Sequence, residues 1–155
     1  MMLREQKSKA VEKILKRYPD RRSAIIPLLW LVQRTAGYVT PDGITEVAEI
    51  TGVTLAQVQE IVSFYTMFHQ KPVGRYLISV CDNISCSLLG AEQLVEHLET
   101  RLGIRAGETT ANGLFSLQTV ECLGACNMAP VMIINETLYP NLTTEKIDQI
   151  LKNCT

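Results

Sequence analysis

The sequence lacks any apolar stretch long enough to cross a membrane. Its longest apolar run, "AIIPLLWLV" at residues 24–32, has nine residues and contains a proline, whereas a spanning helix needs about 20. The first residues, "MMLREQKSKAVEKILKRYPD", have no apolar core of the kind found in secretory signals, and three acidic residues argue against a transit peptide. We therefore expect a cytosolic protein with no direct membrane insertion.

A strong excess of positive charge is also missing. The formal net charge is −1, which argues against a general binder of polyanions. Residues 47–62, "VAEITGVTLAQVQEIV", have the spacing of a helix-turn-helix, with Ala48, Gly52 and Val58 at packing and turn positions. The stretch from Thr54 to Phe68 nevertheless contains no Lys or Arg that could contact phosphates or bases. We predict a packing motif and no nucleic-acid binding; a zinc-stabilised DNA-binding protein is the less favoured alternative.

Histidine is scarce, and the C-x-x-C motif of thiol–disulfide exchange enzymes is absent. His69 lies in a predicted linker segment and His97 on a polar stretch of a predicted helix. A Rieske-type centre needs two histidines in place of one cysteine pair, and neither histidine lies in a cysteine loop. Surface or structural roles are expected for both.

The first half of the chain has only helical patterns. Val11, Ile14, Leu15 and Tyr18 form one apolar stripe. Further helices are predicted over residues 23–35 and 41–52, and a capping box at residues 54–57 opens another. Its later part, "SFYTMF", is expected to be core, or a protein-docking patch if its aromatic residues are exposed. We assign residues 1–70 to an N-terminal helical bundle that ends at the linker "HQKPVG", residues 69–74.

The second half alternates strands and helices. "RYLISVC" is a predicted strand, "GAEQLVEHLETRLG" a helix and "LFSLQTVEC" a second strand. "VMIIN" and "TLYP" form a predicted hairpin, and "TTEKIDQILKNC" a closing helix. This order, which we summarise as β-α-β-β-α, suggests a thioredoxin-like layer of helices on a small sheet. Residues 75–155 are assigned to this α/β domain, so the fold class of the whole chain is α+β.

Four of the five cysteines form two close pairs. Cys81 and Cys86 make C-x4-C, Cys122 and Cys126 make C-x3-C, and both pairs begin where a predicted strand ends. If those strands are neighbours, both loops open at one edge of the sheet and four thiolates converge. Soft thiolate ligands suit an iron–sulfur cluster or zinc.

The loop spacing favours the cluster over zinc. Structural zinc sites use short C-x2-C knuckles around one ion, whereas a [2Fe–2S] cluster is longer and takes two thiolates at each end. Gly124 would let the backbone fold tightly and aim N–H groups at a sulfur. Disulfides are disfavoured in a cytosolic protein, and Cys154 is expected to be a free thiol.

Several segments, in order from Tyr18 to Leu151, form a recognisable set. They are "RSAIIPLLWLVQ", "GYVTPDGI", "VSFYTMF", "PVGRY", "GETT", "VECLGAC", the two cysteine pairs and the pattern LT-x-EKID-x-IL. Together they resemble a known family: the thioredoxin-like [2Fe–2S] subunits of NADH:quinone oxidoreductase, respiratory complex I.

The resemblance implies an N-terminal helical bundle followed by a thioredoxin-like domain. It implies that Cys81, Cys86, Cys122 and Cys126 bind one [2Fe–2S] cluster. The partner would be the flavoprotein subunit that binds FMN and NADH, with which single electrons are exchanged; other peripheral-arm iron–sulfur subunits would belong to the same complex. The chain would have no catalytic residues of its own and would bind neither NADH nor quinone. It would lie on the cytoplasmic face of the inner membrane through the complex.

Two features depart from the family pattern. Ala111 and Asn112 stand where many relatives have Pro-Asp, and Cys154 has no counterpart. Neither touches the expected ligands. Related subunits of NAD-reducing hydrogenases and NAD-dependent formate dehydrogenases share the same motifs, so these complexes remain the alternative parents.

Overall fold

The computed structural model describes Leu3 and residues 7–154. Contacts divide the chain into two compact units with the boundary between Pro72 and Val73. Among the described residues, no helix has both the length and the apolar character that crossing a bilayer requires. That the two units are separate domains over residues 1–70 and 75–155 stays a prediction.

The first unit is built from helices. They are α1 (Ser8–Leu15), a 3-10 turn (Arg21–Ala24), α2 (Ile25–Ala36), α3 (Pro41–Thr51) and α4 (Leu55–Phe64). The 3-10 turn is a correction, because a continuous helix was expected from residue 23. Apolar side chains of all four α-helices form one buried core, to which Phe68 is added from the segment after α4.

Local signals in the sequence set the ends of these helices. The Thr40 hydroxyl accepts a hydrogen bond from the backbone N–H of Gly43 at 3.0 Å and so caps α3. Gly52 ends α3 with a φ of 74°, a left-handed conformation that favours glycine. Thr54 and Gln57 form the predicted capping box at the start of α4. These predictions are confirmed.

The "SFYTMF" segment was wrongly predicted to be helical throughout. Helix α4 ends at Phe64, and the backbone of Tyr65 is already extended. The aromatic residues of this segment were expected to be core, or a docking patch if exposed. Phe68 is buried and contacts Trp30, as a core residue does, whereas Phe64 is exposed.

The second unit contains a mixed four-stranded sheet. Its elements are β1 (Tyr76–Cys81), α5 (Ile84–Leu88), α6 (Ala91–Leu102), β2 (Phe115–Val120), a 3-10 turn (Cys126–Met128), β3 (Met132–Ile134), β4 (Thr137–Tyr139) and α7 (Thr144–Lys152). The strand order is β2-β1-β3-β4. Strands β1 and β2 are parallel, and the other neighbouring pairs are antiparallel. The hairpin and the closing helix, which Thr143 caps, are confirmed.

The predicted order β-α-β-β-α needs a correction, because the described elements run β-α-α-β-β-β-α. The additional elements are one strand of the hairpin and the short helix α5. Helix α6 packs against β1, β2 and α7. The buried core between these layers contains apolar side chains from β1, β2, β3, α6 and α7.

Candidate metal centre

Strands β1 and β2 bring the two cysteine loops to one end of the sheet. Cys81 is the last residue of β1 and pairs in parallel with Val120, the last residue of β2. The second loop then begins at Cys122, two residues after Val120. The expectation that both pairs begin at neighbouring strand ends is therefore confirmed.

The first pair is buried. Cys81 is 2% exposed and Cys86 1% exposed, and the backbone N–H of Cys81 donates to the Val131 carbonyl at 3.1 Å. Cys86 was expected in a loop but lies within α5. Burial raises the pKa of the Cys86 thiol, and the neighbouring Cys81 thiol raises it further, whereas the Val131 backbone lowers it. The two thiols of this pair are thus close enough to interact directly.

The second pair is exposed and held by a tight turn. Cys122 and Cys126 are both exposed. Between them, Gly124 has a φ of 70°, and its backbone N–H donates to the Cys122 Sγ at 3.3 Å. Ala125 is buried and packs in one cluster with Cys81 and Cys86. The second loop is therefore packed onto the first at this end of the sheet.

The donor atoms of the two cysteine pairs are those of a thiolate-bound metal centre. Soft thiolates suit an iron–sulfur cluster or zinc. A [2Fe–2S] cluster takes two thiolates at each iron, and each of the two segments carries two cysteines. Within Leu3 and residues 7–154, no group of three or more His, Cys, Asp or Glu side chains is placed to hold one metal ion. All five cysteines are free thiols, so the pairs are not disulfides in this structure.

The remaining candidates have structural contacts. The Nε2 atom of His97 lies 3.0 Å from a carboxylate oxygen of Asp148, which Arg101 also contacts at 2.9 Å. These contacts join α6 to α7. His69 lies in the first unit, where burial lowers its pKa. Cys154 is half-buried and contacts the Ile150 carbonyl at the end of α7.

Sequence reasoning missed helix α5. The signals were present, since Asn83 and Gly90 bracket "ISCSLL", an asparagine being favoured before a helix and a glycine after one. The helix has only five residues, too few for an apolar period to distinguish a helix from a loop. As a result, the apolar side chains that α5 exposes next to Cys86 were not predicted.

Comparisons with known proteins agree with this geometry. The family described as thioredoxin-like [2Fe–2S] ferredoxin matches residues 11–155. One of the NADH-quinone oxidoreductase subunits of Rhizobium meliloti is 48% identical over 153 residues, which cover 99% of this chain and 89% of that protein. NADH-quinone oxidoreductase subunit 2 of Thermus thermophilus is 42% identical over 142 residues, covering 90% of this chain and 78% of that protein.

A solved structure supports the fold. A crystal structure of NAD+-reducing [NiFe]-hydrogenase in the air-oxidized state superposes with a TM-score of 0.71 at 24% identity. The match covers 82% of this chain and 22% of that chain. At this identity the likeness concerns the fold alone.

Proposed function

The chain belongs to the thioredoxin-like [2Fe–2S] ferredoxin family, and on that premise we propose that it is the electron-carrying iron–sulfur subunit of an NADH-oxidising module of NADH:quinone oxidoreductase. Its direct partner is the subunit that binds FMN and NADH, and other iron–sulfur subunits belong to the same complex. The names of the relatives at 42% and 48% identity support this parent complex.

One observation carries the proposal: the parallel pairing of Cys81 with Val120. Because of this pairing, the cysteine pair that begins with the last residue of β1 and the pair that begins just after β2 lie at the same end of the sheet. Cys81, Cys86, Cys122 and Cys126 are the proposed ligands, and they supply the four soft thiolates that a [2Fe–2S] cluster requires.

The four cysteines divide into an inner and an outer pair. Cys81 and Cys86 are buried and exclude water from their side of the site, whereas Cys122 and Cys126 leave the other side open to a partner. The Gly124 N–H hydrogen-bonds the Cys122 sulfur, and such bonds stabilise the more negative, reduced form of a cluster and raise its reduction potential.

The chain's own part in the reaction is to hold and tune a redox group. A bound [2Fe–2S] cluster takes up and releases one electron at a time. We assign no nucleophile, general acid or general base, and no NADH or quinone site, to this chain. Assembly with its partners would hold it at the cytoplasmic face of the inner membrane without inserting it.

An equivalent subunit of an NAD-linked hydrogenase or formate dehydrogenase is the second candidate. The motifs on which the resemblance rests are shared by the related subunits of these complexes, and this keeps the second candidate open. The chemistry of the chain would be unchanged, and only the partner proteins would differ. Co-purification from the native source, followed by identification of the associated subunits, separates the two parents.

The test of the cofactor is iron and acid-labile sulfide analysis of anaerobically purified protein, with electron paramagnetic resonance before and after dithionite. We expect about two irons and two sulfides per chain, no signal when oxidised and one S = 1/2 signal when reduced. One zinc and no sulfide would contradict the proposal and bring back the zinc-stabilised alternative.

The ligand assignment is tested by replacing Cys122 with serine. Because a hard hydroxyl replaces a soft thiolate, we expect loss of the cluster or a strongly altered spectrum. Cys154→Ser is the matched control, since Cys154 lies at the end of α7, and its spectrum should equal that of the unsubstituted chain. An unchanged spectrum for Cys122→Ser would remove Cys122 from the ligand set.

A further inference from the structure

Helix α5 exposes a row of large apolar side chains. Ile84 is 74% exposed, Leu88 84% and Leu89 60%. Ile84 and Leu88 are four residues apart and therefore lie on the same side of the helix, with Leu89 directly after its last turn. We refer to these three residues as the α5 face. A contiguous exposed apolar surface of this kind marks a protein interaction site more often than it marks ordinary surface.

The α5 face adjoins the candidate metal centre. Cys86 belongs to the same five-residue helix and is only 1% exposed. The helix thus turns a proposed ligand toward the interior and its large apolar residues toward solvent. A protein that covers the α5 face would stand within one helix diameter, about 10 Å, of the proposed cluster.

The surroundings of the α5 face are acidic. Asp82 and Glu92 line one cavity of about 440 Å³ together with Ser87, the neighbour of Leu88. Residues 76–100 contain no Lys or Arg, and neither do residues 106–145. The same cavity is also lined by Glu96, Glu99 and Arg105, and Arg105 pairs with Glu99. Four carboxylates against one guanidinium make this border of the apolar centre acidic on balance.

We propose that the α5 face is the centre of a docking surface for a different protein, whose matching surface is apolar in the middle and carries Lys or Arg at its edge. The inference rests on the proposed function, because the partner it commits to is the FMN- and NADH-binding subunit. An apolar core with a polar rim is the usual anatomy of a protein interface, and complementary charge directs the encounter and excludes wrong partners.

The charges argue against a second copy of this chain as the occupant. In a two-fold dimer the same patch meets itself. Asp82 and Glu92 would then approach the acidic residues of the other copy, and like charges brought together at an interface cost affinity. A basic rim on a different protein removes this repulsion.

The test measures binding of the FMN- and NADH-binding subunit from the same source to the full-length, cluster-loaded chain by isothermal titration calorimetry. Leu88→Asp places a charge at the most exposed point of the α5 face. We expect the affinity to fall at least about tenfold, the scale of losing one central interface residue. Leu138→Asp is the matched control. Leu138 is also an exposed leucine of the second unit, but it lies on the edge strand β4. The affinity of the Leu138→Asp chain for the partner should stay within about twofold of that of the unsubstituted chain.

The acidic border is tested by salt. Affinity should weaken as the NaCl concentration rises from about 0.05 to about 0.5 M, because exposed charges are screened. In the double variant Asp82→Asn with Glu92→Gln, this weakening should be smaller. An affinity that does not depend on salt would overturn the basic character assigned to the partner.

The outcomes separate the two proposals. A Leu88→Asp chain with a normal resonance signal and unchanged affinity overturns the docking surface and leaves the electron carrier intact; Leu89→Ser gives a second variant should Leu88→Asp not fold. Absence of a cluster in the unsubstituted chain overturns the proposed function instead. If analytical ultracentrifugation shows a dimer that Leu88→Asp dissociates, the α5 face binds a second copy and the inference is wrong.

Discussion

Asp82 donates its backbone N–H to the carbonyl of Val120 at 3.1 Å, one residue beyond the last paired positions of β1 and β2. This bond extends the parallel ladder into the start of the first cysteine loop. Because side chains alternate along a strand, a register shifted by one residue would turn Cys81 away from the interior. The register of β1 against β2 thus decides whether Cys81 faces the interior at the end of the sheet where the second cysteine pair follows.

The Gly124 turn should tune the reduction potential. Alanine at a φ of 70° costs about 1–2 kcal/mol, and relaxing that strain weakens the N–H bond to the Cys122 sulfur. We therefore expect Gly124→Ala to lower the reduction potential of the loaded chain, measured by a redox titration monitored by electron paramagnetic resonance.

Gly113→Ala is the control for this substitution. Gly113 has a φ of 67°, and a Cβ there, as at Gly124, would meet open space. It lies in the turn before β2, away from the cysteine loops. Both variants should lose a similar free energy of unfolding, whereas only Gly124→Ala should change the potential. An equal change of potential in both would show that general destabilisation, and not the hydrogen bond, is responsible.

The sequence was most informative where a local signal decides the structure. Thr54 and Gln57 determine a helix start through contacts within four residues. The apolar composition of β1 follows from its place inside the sheet, where its last four residues are all buried. Which strands are neighbours depends on contacts far apart in the chain, and so the placement of the two cysteine pairs at one end of the sheet could only be stated as a condition. That the four thiols bind one cluster stays a prediction. The opposite exposures of Phe64 and Phe68 depend on where α4 ends, which its apolar composition does not determine.

The two units should unfold separately if they are the predicted domains. Leu29 in the first unit and Leu98 in the second are both fully buried. Truncating such a leucine to alanine costs about 2–5 kcal/mol. In differential scanning calorimetry of the full chain we expect two unfolding transitions. Leu29→Ala should lower the midpoint temperature of only one of them, and Leu98→Ala that of only the other. A single transition that both variants lower would contradict the division into domains.

Gln33 connects α2 to the segment that follows α4. Its amide Nε2 donates to the Met67 carbonyl at 2.9 Å, and its Oε1 accepts from the His69 backbone N–H at 2.8 Å. Because Gln33 is buried, Gln33→Ala leaves both partners without these bonds, at a cost of about 1–3 kcal/mol in unfolding free energy. Urea unfolding of the full chain measures this loss.

The control for Gln33 is a glutamine that bonds at the surface. Gln59 donates to the Gln70 side chain at 3.0 Å, and this contact is exposed. Water replaces such a bond easily, so Gln59→Ala should change the unfolding free energy by less than about 0.5 kcal/mol. Equal losses for the two alanine variants would show that the buried position of Gln33 does not matter.

His69 should make the stability of the first unit depend on pH. Burial lowers the pKa of His69 below its ordinary value of 6.5, so the unfolded chain binds a proton at a higher pH than the folded chain does. The free energy of unfolding should therefore decrease as the pH falls below 6.5 toward the folded-state pKa. His69→Gln removes the titrating ring, and its urea unfolding between about pH 7.5 and pH 5.5 should show a smaller decrease than that of the unsubstituted chain. Equal pH dependence in both chains would mean that other groups, and not His69, take up the proton on unfolding.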